Sequence, residues 1–148
     1  MSPEGPSIFF RRAEIGLPRR QLRAFAQQLM SEVTGGRAFD CLLTDDKELQ
    51  RLNNSFLGRD YPTDVLSFPS GMNGGFAGEI AISTNRASAQ SKDHGHTPEE
   101  EIRILMLHGV LHLLGMDHEK DRGAMARAEK RWRKHYGLPL SLTERGKA

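Results

Sequence analysis

The sequence predicts a single α+β domain over residues 1–148, a small mixed sheet packed against a buried central helix. Three observations lead there. Strand-like and helical segments alternate through the first half, a hairpin pattern occupies the middle, and the run ILMLHGVLHLL from Ile104 to Leu114 is apolar on almost every face. A helix with no polar side belongs inside a core. The hydrophobic share of 37%, with 15 glycines added, approaches the roughly 45–50% apolar content of globular domains. Disorder and low complexity are thereby excluded, and 148 residues suit one core with no linker.

Taken in order, SIFFR at residues 7–11 suits a strand, and Leu17-Pro18 opens a segment whose Leu22, Phe25, Ala26, Leu29 and Val33 recur at helical spacing. Gly35-Gly36 ends that helix. Phe39 to Leu43 reads as a strand, and Thr44 or Asp45 is the expected N-cap of a short helix carrying Leu49 and Leu52. Val65, Leu66 and Phe68, bounded by Pro62 and Pro69, form an edge-strand candidate that pairs as an antiparallel hairpin with Phe76 to Ile82. The glycines Gly71, Gly74, Gly75 and Gly78 are assigned to its turn rather than to a phosphate cradle, since no helix follows them directly. A helix near 84–92 and a polar loop come next. The central helix then runs from about Pro98 to Leu114, capped by Thr97, with Glu99, Glu100 and Glu101 at its positive end. Gly115 closes it. A last amphipathic helix is expected from about Glu119 to His135, turning Met125, Ala128 and Trp132 inward.

The composition narrows the function classes. No apolar run approaches the roughly 20 residues a membrane span needs, and the arginine-rich first 30 residues lack the apolar block of a secretory signal, so a cytoplasmic protein is expected. Cys41 is alone, which fits a reducing compartment and excludes a cysteine-based zinc cluster within the chain. Any metal therefore uses His, Asp or Glu. The net charge of +2 conceals −5 over residues 41–118 and +5 over residues 119–148, compatible with a polyanionic partner.

The sharpest feature is HGVLHLLGMDH, residues 108–118. His108 and His112, four apart on a helix, project from one face and can share one metal ion. On a continuous helix His118 would lie about 9 Å beyond His112, so the helix must stop first. Gly115 supplies the stop, and the turn through Met116-Asp117 can bring His118 back. Three neutral imidazoles with an open fourth vertex describe a catalytic zinc site, here of zincin-like arrangement. His94, His96 and His135 lie in polar contexts and are expected to be solvated. The spacing is shared with metzincin peptidases, yet those carry a Glu directly after the first His, where this chain has Gly109. Without a carboxylate at that position, peptide hydrolysis by that route is not expected.

The same residues resemble the YbeY family signature H-G-x-L-H-L-x-G-[YF]-D-H, with Met116 at the usual aromatic position. The resemblance extends through LNNSFLGRDYPTDVLSFP at residues 52–69, Gly78-Glu79-Ile80, and Asp117-His118-Glu119 with Met125 and Glu129. It implies an α+β fold and one Zn2+ held by His108, His112 and His118. It also implies a single-strand-specific endoribonuclease acting in 3′-end maturation of small-subunit ribosomal RNA and in ribosome quality control. RNA and the small ribosomal subunit are the implied partners, with no membrane and no DNA. The zinc-bound water would be the nucleophile, with attack by the RNA's own 2′-hydroxyl the alternative.

One departure stands out. The family places an Arg, thought to meet the RNA phosphate, after the aromatic position held here by Phe56, and this chain has Leu57. Arg59, two residues on, is the candidate replacement for substrate binding, with a solvated loop Arg the alternative. Asp117 either orients a ligand imidazole from behind or fixes the turn. Thr63, Asp64 and Ser67 surround an edge strand that could line the substrate groove, with a turn and cap role the alternative for Thr63 and Asp64. Lys130, Arg131, Arg133 and Lys134 are expected as a solvated helix face, with ribosomal RNA contact the alternative. A ribosome-assembly factor with a mainly structural zinc is the second function class left open.

Overall fold

The computed structural model describes residues 5–13, 16–71, 74–117 and 120–145. Its nine elements follow the expected order: β1 (Ser7–Phe10), α1 (Arg19–Glu32), β2 (Ala38–Thr44), α2 (Asp46–Leu57), β3 (Val65–Pro69), β4 (Phe76–Ser83), α3 (Thr84–His94), α4 (Pro98–Leu113) and α5 (Ala124–His135). The sheet order is β1-β2-β4-β3. β2 runs parallel to both β1 and β4, while β3 lies antiparallel to β4 at the edge, so the sheet is mixed.

Strand alternation assigns the two faces. Phe39, Cys41 and Leu43 of β2 and Ile80 and Ile82 of β4 point toward α1 and α4, where they join Leu22, Phe25, Ile102, Leu105 and Met106 in the main core. On the opposite face α2 lays Leu49 against Leu66 and Ala81. α3 and α5 pack against α4, which is thus enclosed. The enclosed helix is the one the apolar run predicts, and the mixed sheet is built from the four segments that read as strands.

Caps account for the helix starts. Asp45 accepts from the Glu48 N–H at the start of α2. Thr97 and Glu100 form a reciprocal capping box with Pro98 in the first turn of α4. Two expectations need correction. α5 begins at Ala124 rather than near Glu119, which lies outside the described residues: Lys120 to Gly123 form turns and bends, and Gly123 holds φ at 86°. Gly78 lies inside β4, not in the hairpin turn: a Cβ there would stand 2.4 Å from the Phe68 carbonyl oxygen. Its glycine is required by close strand approach at φ 142°.

Candidate metal centre

The end of α4 builds the site. Gly115, with φ at 92°, turns the chain so that the Gly115 N–H donates to the His112 carbonyl and the Met116 N–H to the Leu111 carbonyl. This is a Schellman ending. It carries the Met116 carbonyl oxygen back to His112 Nδ1, at 2.9 Å. A carbonyl can only accept, so His112 Nδ1 carries the proton and Nε2 keeps its lone pair.

His108 is oriented from a different element. Its Nδ1 lies 2.5 Å from Glu129 Oε2 on α5, and both side chains are buried. Burial works to raise the Glu129 pKa, but hydrogen bonds from His108 and from the Thr143 N–H and hydroxyl outweigh it and hold the carboxyl below its ordinary value. An ionised carboxylate accepts at both oxygens. His108 Nδ1 is therefore also the protonated nitrogen, and its Nε2 is an acceptor.

The two Nε2 atoms face each other at 3.2 Å, with the rings at 78°. Two lone pairs at that separation repel unless a cation lies between them. Nitrogens about 2.0–2.1 Å from one ion at a tetrahedral angle stand about 3.3–3.4 Å apart, so the pair fits a zinc-type ion. His118 lies outside the described residues, as does Glu119. The convergence of a third imidazole is thus an expectation of the sequence. Among the described residues no cluster of three metal-ligating side chains occurs.

A carboxylate has no room beside His108. A Cβ at Gly109 would meet Ile80 at 3.0 Å and the Ser67 hydroxyl at 3.1 Å, since α4 rides close over β3 and β4 at that point. Ser67 donates to the Gly109 carbonyl and so faces α4. Asp64 accepts from the Val65 N–H and Thr63 lies beside it, a turn role for both. Arg59 is exposed just after Gly58, the left-handed C-cap of α2. Leu57 is 48% exposed and Phe56, 66% exposed, meets Phe68 edge to face. Asp117 is half-buried in the turn and its carbonyl accepts from Lys120 and Asp121 N–H groups.

The profile of the family described as Endoribonuclease YbeY matches residues 8–137. The chain belongs to the YbeY endoribonuclease family. Among curated YbeY endoribonucleases, that of Solibacter usitatus is 59% identical over 97% of both chains, and that of Koribacter versatilis 41% identical over 93% of this chain and 90% of its own. The solution structure of TM1509 from Thermotoga maritima superposes with a TM-score of 0.61 at 27% identity, covering 88% of this chain and 89% of that one. Membership in the YbeY family makes the chain a nuclease that hydrolyses phosphodiester bonds.

Three residues did not behave as their sequence contexts suggest. His96, expected in solvent, is buried with its Nε2 2.6 Å from Glu101 Oε1. Arg133, expected on a solvated face, is mostly buried against Glu144 at 2.7 and 2.8 Å, whereas Lys130, Arg131 and Lys134 are exposed. Glu129, the partner of His108, was legible only as part of a family pattern. Its physical signal was available: it lies four residues after Met125 on the inward stripe of α5, where a carboxylate requires a partner.

Proposed function

We propose that this chain is a zinc-dependent, single-strand-specific endoribonuclease acting in the cytoplasm on the 3′ end of small-subunit ribosomal RNA and in ribosome quality control. The observation that carries the metal part is the facing pair of imidazole acceptors, each fixed in its tautomer by a different element. His108 and His112, with His118 as the third ligand, would hold the ion. When bound, zinc supplies a Lewis acid for the phosphate and lowers the pKa of coordinated water.

The protein's own groups prepare that chemistry. Glu129 holds the His108 ring by its Nδ1–H and, being buried and ionised, balances the charge of a cation nearby. The Met116 carbonyl holds His112. Arg59 offers a guanidinium for substrate phosphate in place of the family's Arg. Lys130, Arg131 and Lys134 give α5 an exposed basic face suited to ribosomal RNA. Position 109, closed to a carboxylate by Ile80 and Ser67, speaks against a peptidase reading.

Leu57 favours a second reading, an assembly factor on the small subunit whose zinc is mainly structural. Cleavage of single-stranded RNA by highly purified protein and by His112→Ala, with circular dichroism as folding control, separates the two. Loss of about 10²-fold or more in the variant, together with near one zinc per chain in the parent, is the expected result. Equal cleavage by both proteins overturns the enzymatic reading.

A further inference from the structure

The face of the sheet turned away from the histidines is only partly covered. α2 protects its β3 side, and beyond Leu52 and Phe56 a groove of about 920 Å3 crosses the sheet toward β1. That size lies in the range of small-ligand sites, about 300–1,000 Å3. Its ends differ in chemistry. At the β1 edge stand Arg11, Arg19 and Arg23, and at the β3 edge the Phe56–Phe68 pair. Phe9, 54% exposed, rises from the floor on β1. Crossing from β1 to β3 spans three strand intervals, about 14 Å.

The floor carries two carboxylates side by side. Asp40 of β2 and Glu79 of β4 are directly paired in register and both line the groove. Neither carboxylate makes a hydrogen bond or ion pair with a described residue; Arg11 pairs with Glu48, but no acidic side chain among the described residues pairs with Arg19 or Arg23, whose guanidiniums rest over the Phe10 ring. An apolar floor bearing acceptor-only groups, exposed rings to stack on, and uncompensated guanidiniums at one end defines a ligand with three features. It is flat, it presents adjacent hydrogen-bond donors, and it carries an anionic group. Guanine is the base whose Watson–Crick edge sets N1–H beside an exocyclic NH2, two parallel donors that match one carboxylate. Adenine and cytosine present an acceptor beside their amino group, and uracil presents acceptors flanking its single N–H.

We propose that this groove binds a guanosine of a single-stranded RNA, with the base between Phe9 and the Phe56–Phe68 pair, its donor edge on Asp40 and Glu79, and a flanking phosphate at Arg19 and Arg23. The site lies on the other side of the sheet from the His108–His112 pair and selects which RNA segment is retained rather than cutting it. It rests on the reading of RNA as substrate. Aromatic stacking and backbone cations are the two elements of single-strand binding, and the carboxylates add base selection to them.

The test measures fluorescence anisotropy of two labelled ten-nucleotide RNAs, one with a single guanosine in an A/U context and one with adenosine in its place. The protein carries His112→Ala so that no cleavage intervenes. The guanosine RNA is expected to bind about ten-fold more tightly. Asp40→Asn with Glu79→Gln removes that preference, since each amide replaces one acceptor oxygen with an NH2 donor and can no longer accept both parallel guanine donors. Arg19→Gln with Arg23→Gln weakens both RNAs alike and flattens the salt dependence. Phe9→Leu, which keeps an apolar side chain, weakens both by about five-fold or more, and thermal melts report the fold of every variant. Equal affinity of the parent for both RNAs, or a preference that survives the carboxylate substitutions, overturns the proposal. So does dimerisation that the same substitutions abolish and RNA does not compete with, which would assign the groove to a second copy of the chain. Cleavage by protein with His112 intact is measured separately, so a failed groove and a failed catalytic reading give different results.

Discussion

At the scale of single residues, the site depends on where two protons sit. Glu129 and the Met116 carbonyl each claim a Nδ1–H, which turns two Nε2 lone pairs toward one point. Glu129→Gln keeps shape but loses the ionised acceptor, and we expect zinc affinity to fall about 10- to 100-fold, read by competition with a chromogenic chelator. The same variant leaves the Thr143 contacts an amide oxygen to use, so the fold should survive. Removal of zinc by a chelator should lower the melting temperature of the parent more than that of His112→Ala, since the ion stabilises only a chain that binds it. The histidine motif was open to sequence reading because it is contiguous. Glu129 was not, because it lies 21 residues from His108 and meets it only when α5 folds back on α4.

At the scale of elements, two junctions position the histidines. The capping box fixes the start of α4, and Thr97→Ala should cost about 1 kcal/mol in denaturant melts by leaving a first-turn N–H unmet. The other junction is the contact of α4 with the β3–β4 hairpin. Gly78→Ala would press a methyl into the Phe68 carbonyl and the Leu113 side chain at a φ that L-residues avoid, and we expect a loss of about 3 kcal/mol or more. Should the variant melt like the parent, the close approach of β4 to β3 would be wrong. Caps and turn residues made the boundaries of α2 and α4 readable. The true role of Gly78 was hidden because a glycine near a turn reads as turn, while the neighbour that forbids a side chain comes from another strand.

At the scale of the whole molecule, the segment after α5 closes the fold. Leu138 and Leu142 enter the main core, and Arg145, almost fully buried, donates to both oxygens of Glu101 at 2.7 and 2.9 Å. Burial works to raise the Glu101 pKa, but Arg145, His96 and Gln90 outweigh it and hold it below the ordinary value. The Arg133 fork holds Glu144 at about 2. A carboxyl depressed in the folded state stabilises it above its unfolded pKa, and that contribution is lost as pH falls through the folded value. Stability should therefore decline from about pH 4.5 toward pH 2, and Glu144→Gln should make the decline shallower in melts across that range. Arg145→Ala leaves the Glu101 carboxylate buried with weaker partners and should cost about 3–5 kcal/mol. Arg145 meets Glu101 across 44 positions, and that contact folds the last segment over α4. His96 and Arg133 find their carboxylates only 5 and 11 positions away, yet read as solvated because a polar neighbourhood does not show which of its side chains the fold buries.

The linear order of residues was enough to determine the α+β class, the edge place of β3, the enclosure of α4 and the facing of His108 and His112, because each follows from local periodicity, capping or a four-residue helical step. Tertiary structure alone decided the partner of His108, the burial of His96 and Arg133, and the meeting of Asp40 with Glu79 in one groove. Those depend on which distant elements come into contact, and a local pattern carries no information about a neighbour it has not yet met.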